Sequence, residues 1–139
     1  MNILSLLKLS INSLTTYILI LNICFNILFL KYMLFILIIY GSIIYLRSHN
    51  KIANYYNINS NLLTIGHIIS HYLIPFYFLH NYNFKNNKLI FKQYIYGILF
   101  SYFYFFLVDI ENIYFIDKVK IQIEVFILWT IIYIFSNIL

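Results

Sequence analysis

Acidic residues are scarce in this chain: four Asp and Glu among 139 residues. With nine Lys and Arg they bring the charged fraction to 9%. Soluble domains carry roughly 25%, so water is not the solvent for most of this surface. The single cysteine, Cys24, excludes an intrachain disulfide and leaves the redox compartment unreadable. Three glycines, one proline and one cysteine supply no Gly-rich phosphate loop, no Ser elbow and no Cys pair. The nine bases are spread along the chain and never cluster, which excludes a stripe that could track nucleic acid. They suit anionic lipid headgroups instead. Met1 to Ser13 carries one lysine, and no small-residue cleavage site follows, so no cleavable signal is expected.

What fills the chain is apolar. Hydrophobic residues make up 63% and aromatics 22%, with 15 Tyr and 14 Phe against one Trp. Heavy use of Ile, Asn, Lys, Phe and Tyr is what AT-rich codons would give, so it points to a source rather than a function. The hydrocarbon core takes about 20 helical residues to cross. Five runs approach that length, at roughly 9–30, 32–46, 62–82, 91–108 and 119–139. They are continuously apolar with no period of two, which argues against a barrel. The expectation is an all-α, multi-pass membrane protein: one domain, a bundle of about five transmembrane helices. Lys92 would snorkel at the start of the fourth. The stretch between the second and third runs, Arg47 to Ser60, is polar and reads as a loop. Bases divide five against four between the two sides, so orientation is not set.

A few polar groups fall within these runs. His67 and His71 are four apart, one turn apart on one helix face, with Thr64 on the same stripe. Ionisable groups at membrane depth are costly and mark sites by default. Pro75, four after His71, cannot donate to the His71 carbonyl, so a kink and a free carbonyl are expected there. His80 falls at headgroup level. A metal centre would need ligands beyond this pair, and no second span offers a histidine for haem; no metal and no cofactor are expected.

A neutral histidine can instead activate a hydroxyl. Thr15 and Thr16 lie on the first run, which is parallel to the third. Thr16 is about seven residues into its run and His71 about nine, within roughly a turn of one level at ~1.5 Å per residue. That makes His71 and Thr16 the first candidate pair, with Thr15 second. His67, Asn22 and Glu124 are the candidates to orient a substrate. The competing structural readings are plain: histidines as interhelical glue, threonines bonded back to their own helix, and Glu124 paired with Lys120 one turn earlier.

The order of features resembles a known family. LTTYILILN (Leu14 to Asn22) comes first. HYLIPFYFL (His71 to Leu79) and a Tyr-rich run (Asn83 to Phe105) follow, then YFID (Tyr114 to Asp117) before a last run. This is similar to the androgen-induced integral-membrane hydrolases and their bacterial membrane relatives. The resemblance implies a threonine–histidine hydrolase of lipid esters, typically esters of hydroxy fatty acids. His71 takes the place of the family's histidine, and Thr15 or Thr16 that of its threonine. The Thr-to-Asn spacing is longer here than expected of the bacterial relatives, and no counterpart of one amino-terminal span of that family is expected among these runs. The alternative is a non-catalytic subunit of a larger membrane complex, such as an organelle-encoded respiratory subunit, with membrane proteins as partners. A transporter fits poorly, with no repeat and one embedded acid.

Overall fold

The computed structural model describes residues 3–138. Its elements are α1 (Ile3–Asn12), α2 (Leu14–Cys24), α3 (Leu28–Tyr56), α4 (Ser60–Ile68), a π-helical segment (Ile69–Leu73), α5 (Ile74–His80), α6 (Phe91–Leu107), α7 (Ile110–Tyr114) and α8 (Lys118–Ile138). The fold is all-α, with no strand among the described residues.

Of about five crossings expected, three to four are supported among the described residues. Three helical stretches are long and apolar enough to cross a membrane: Leu28–Tyr56, Ser60–His80 and Lys118–Ile138. A fourth is reached only if α1 and α2, bent by 70°, count as one. Helix α6 has 17 residues, about 26 Å at 1.5 Å per residue, short of a hydrocarbon core of about 30 Å.

The run expected at 9–30 is broken at Ser13, which is extended at φ −84 and ψ 126. Ser10, Asn12 and Ser13 are poor helix-interior residues because their side chains compete for nearby backbone groups. A distant phenol completes the break. Tyr104 donates its hydroxyl to the Asn12 carbonyl at 2.5 Å and accepts from the Leu14 N–H at 3.1 Å. The single Tyr104 proton is committed to Asn12, so Tyr114, 3.4 Å away, must be the donor to Tyr104. Burial pushes the Tyr114 phenol up, which keeps that proton in place.

Helix α3 extends far past the expected 32–46. It reaches Tyr56, so most of the polar stretch after Arg47 is helical rather than loop. Ile52 and Tyr56 are buried, and Leu6, Leu9, Leu62 and Leu63 pack against them in a small second core. Asn57 ends α3 in the left-handed region at φ 52, a conformation Asn tolerates better than most residues. Asn59 then caps α4, accepting from the Asn61 and Leu62 amides.

Pro75 does not break the next helix. The chain widens to a π turn, in which the Ile74 N–H reaches back five residues to the Ile69 carbonyl. This re-registers the backbone just ahead of the residue that has no N–H to give. The main core lies between α3, α6 and α8. Trp129, fully buried, lies against Gly97 and donates its Nε1–H to Ser101 at 3.2 Å. Small residues allow that close approach.

The glycines give a paired test of this packing. A Cβ at position 97 would run into the Trp129 ring, whereas one at position 66 meets nothing. Gly97→Val should cost about 1–3 kcal/mol by overpacking, and Gly66→Ala should be neutral or raise stability by up to about 1 kcal/mol. Thermal unfolding of both variants in detergent measures this; equal midpoints would refute the α6–α8 contact.

Candidate functional site

Thr15 is buried in the first turn of α2. The Ser13 break brings that turn beside the π segment. From the other side, His71 crosses α3 at Gly41. A Cβ at position 41 would overlap the imidazole, so glycine is what lets the ring lie on the α3 backbone. In that seat the two ring nitrogens are separately engaged. Nδ1 lies 2.9 Å from the Leu37 carbonyl, and Nε2 lies 3.2 Å from Thr15 Oγ1. A carbonyl only accepts, so Nδ1 carries the hydrogen in the neutral ring. Nε2 is then the lone pair, and the Thr15 hydroxyl donates to it.

His67 stacks on His71 with ring centroids 4.4 Å apart and planes inclined by 27°. Tyr45 lies against His67, ring centroids 4.7 Å apart and planes inclined by 31°. Thr64 donates to the Ser60 carbonyl, so its 3.0 Å contact with Tyr45 has the phenol as donor. His49 approaches Ser60 at 2.9 Å. A file of hydroxyls and imidazoles thus runs from His71 toward the α3–α4 turn. Within it, His67 Nε2 is buried without a hydrogen-bond partner among the described residues. Leaving such an atom unpaired costs about 1–3 kcal/mol.

A cavity of about 250 Å³ lies against these groups. Leu6, Leu9, Leu19 and Ile36 give it an apolar wall, while Thr15, Thr16, His67 and His71 open onto it. An apolar chamber with a few convergent polar groups is the form small-molecule sites take.

His71, Thr15, Thr16 and His67 come together. It is Thr15, not Thr16, that reaches the imidazole; Thr16 lines the cavity beside it. Depth counting favoured Thr16 because it started the helix at Leu9, and the break moves that start to Leu14. Asn22 is outside the cavity. Its amide donates to the Ile18 and Leu30 carbonyls at 3.0 and 3.1 Å, tying the α2–α3 turn. Glu124 is also outside it. Its partner is Arg47, at 2.9 and 3.0 Å, rather than Lys120. Tyr40 also donates to Glu124, at 2.8 Å, and it is Tyr40 that faces the cavity.

Gly41 and the Leu37 carbonyl escape a reading based on side-chain chemistry. A lone glycine in an unbroken apolar run was the one signal for a close approach. Both nitrogens of His71 are engaged, and His67 lies parallel to it rather than converging on a shared point. The pair therefore does not form a ready metal clamp, and among the described residues no three His, Cys, Asp or Glu side chains gather as ligands. No protein-family model, curated protein or solved structure matches the chain.

The tautomer is measurable. Histidine-selective ¹⁵N NMR should show an Nδ1-protonated ring whose resonance is lost in His71→Gln and kept in His80→Gln, since His80 Nδ1 also faces an acceptor, Asn81 Oδ1. Gly41→Val should return that ring to the ordinary Nε2–H form by pushing it off α3. An Nε2–H form for His71 in the unmodified protein would contradict the Leu37 contact.

Proposed function

We propose that this is a small multi-pass membrane protein that hydrolyses lipid esters, with Thr15 as nucleophile and His71 as base. The observation that carries the reading is the Thr15–His71–Leu37 line, a hydroxyl on the lone pair of an imidazole whose other nitrogen is tied down. The three to four apolar helices support a membrane location. The resemblance to the androgen-induced integral-membrane hydrolases supplies the substrate class, esters of hydroxy fatty acids.

The steps follow from the hydrogen positions. His71 Nε2 takes the Thr15 proton as Oγ1 attacks the ester carbonyl. The tetrahedral adduct collapses, the alkoxide leaves, and Nε2–H returns its proton to that oxygen. Water, deprotonated by the same nitrogen, then cleaves the acyl-threonine. Throughout, Nδ1–H stays on the Leu37 carbonyl, which orients the ring and favours its charged form, the part a carboxylate plays in a triad. No metal or cofactor is required. The apolar wall would hold the acyl chain and keep bulk water from the adduct.

A second reading, a subunit of a larger membrane complex, is favoured by one observation. Only 6% of the most apolar window of Ser60–His80 is buried, so the helix that carries His71 has most of its surface available to neighbours. Native gels of the source membrane address it; migration as a small species only would oppose it.

A fluorophosphonate probe tests the hydrolase. Labelling should be abolished in Thr15→Ala and slowed about 10²–10⁴-fold in His71→Ala, the usual worth of a general base. Thr16→Ala should label nearly as the parent does. Full labelling of both Thr15→Ala and His71→Ala would refute the assignment.

A further inference from the structure

Helix α1 has 10 residues, about 15 Å at 1.5 Å per residue, so it cannot cross a hydrocarbon core of about 30 Å alone. Its side chains divide around the helix into three faces. Leu6 and Leu9 turn inward and pack with Ile52 and Tyr56 of α3. Leu4, Leu7 and Ile11, with Ile3 beside them, form a second apolar face at helical spacing. All four are more than half exposed. Ser5, Lys8 and Asn12, three and four apart, make a polar stripe between the two.

The level and the direction of α1 are both set by its neighbours. Ile52 lies about 32 Å along α3 from Lys31, which already exceeds the hydrocarbon thickness of about 30 Å. A helix packed on Ile52 and Tyr56 therefore sits at the polar boundary. Helix α2 runs back along α3 from Leu14 to the Asn22 bond with the Leu30 carbonyl, and α1 is bent from it by 70°. With α2 and α3 standing across the bilayer, α1 lies close to the membrane plane. Lys8 and Lys51 are exposed at this level, and among the described residues neither is in a salt bridge. Such bases complement lipid phosphates.

We infer that α1 is an in-plane helix seated in the headgroup region of one leaflet. Its outer face sinks among the upper acyl carbons, its polar stripe meets the headgroups, and Lys8 and Lys51 meet phosphate. An apolar face beside a polar, basic stripe on one short helix is the form that interfacial helices take. The occupant of the exposed face is the lipid itself. Leu9 and Ser10 border the cavity, so one boundary of that cavity is anchored at the depth where the ester groups of membrane lipids lie. This seat does not depend on catalysis by Thr15.

Nitroxide labels test the seat in full-length protein reconstituted into phosphatidylcholine vesicles with a minor share of phosphatidylglycerol. Cys24→Ser removes the exposed native thiol. Leu4→Cys and Ile11→Cys then report the outer face, Lys8→Cys the stripe, and Lys51→Cys marks the level on α3. These side chains are all exposed, so the substitutions leave the packing intact. Accessibility to oxygen against a water-soluble nickel chelate gives the depth of each label. If α1 began a crossing, Leu4 and Ile11 would differ in depth by about 10 Å, seven residues at 1.5 Å each. In-plane seating puts them at nearly one depth, both favouring oxygen, while Lys8 and Lys51 favour the chelate. A difference of more than half that value overturns the inference. So does a preference for the chelate at both Leu4 and Ile11, which leaves the face in water. Protection of that face from both reagents also overturns it, and marks a second copy or another protein as the cover.

Discussion

The structure turns on one imidazole lying flat against a helix backbone. His71 reaches Leu37 only because position 41 has no side chain, and it reaches Thr15 only because α2 begins one residue after Ser13. Remove either condition and the ring has no fixed orientation. In an apolar interior the bond to Leu37 does more than hold the ring. It decides which nitrogen carries hydrogen, and so decides that the cavity faces a base rather than a donor. A backbone carbonyl is a sturdy choice for that role, since no substitution can delete it.

Two local departures from ideal helix serve that placement. Pro75 cannot join the α-helical ladder, and the π turn around His71 is where the chain absorbs the mismatch. π segments inside α-helices recur at functional sites, and here the widened turn holds the side chain that crosses to α3. The Ser13 break frees backbone groups, and a buried phenol satisfies two of them at once. Beside the cavity, Arg47 and Tyr40 of α3 hold Glu124 and so tie α8 to α3. They hold the embedded acid in a paired state, the condition under which a carboxylate is tolerated in such surroundings.

The all-helical class followed from continuous apolar runs, and His71 stood out because polar groups at membrane depth are rare. The pairing of a threonine with that histidine followed from parallel helices and rise per residue. The choice between Thr15 and Thr16 did not, because it depends on where α2 begins. That start is fixed by Tyr104, 90 residues away from Leu14, and no local propensity encodes such a contact. The length of α3 was hidden for a similar reason. Its last turns are polar in composition, and they are held helical by apolar residues from α1 and α4 that arrive only with the fold. Asn22 misled because an amide at membrane depth looks functional, yet a chain reversal between two helices also exposes carbonyls that need a donor.

Helix α1 has no fully buried residue, yet Leu6 and Leu9 form part of the cavity wall. Its outer face shows Ile3, Leu4, Leu7 and Ile11. One wall of the chamber is therefore a short helix joined to α2 at a single extended residue, packed on Ile52 and Tyr56 and tied at its end by the Tyr104 phenol. The size of the chamber thus depends on Tyr104 twice, as part of its wall and as the tie that places α1. Exchanging that tie would retune what fits inside without touching Thr15 or His71.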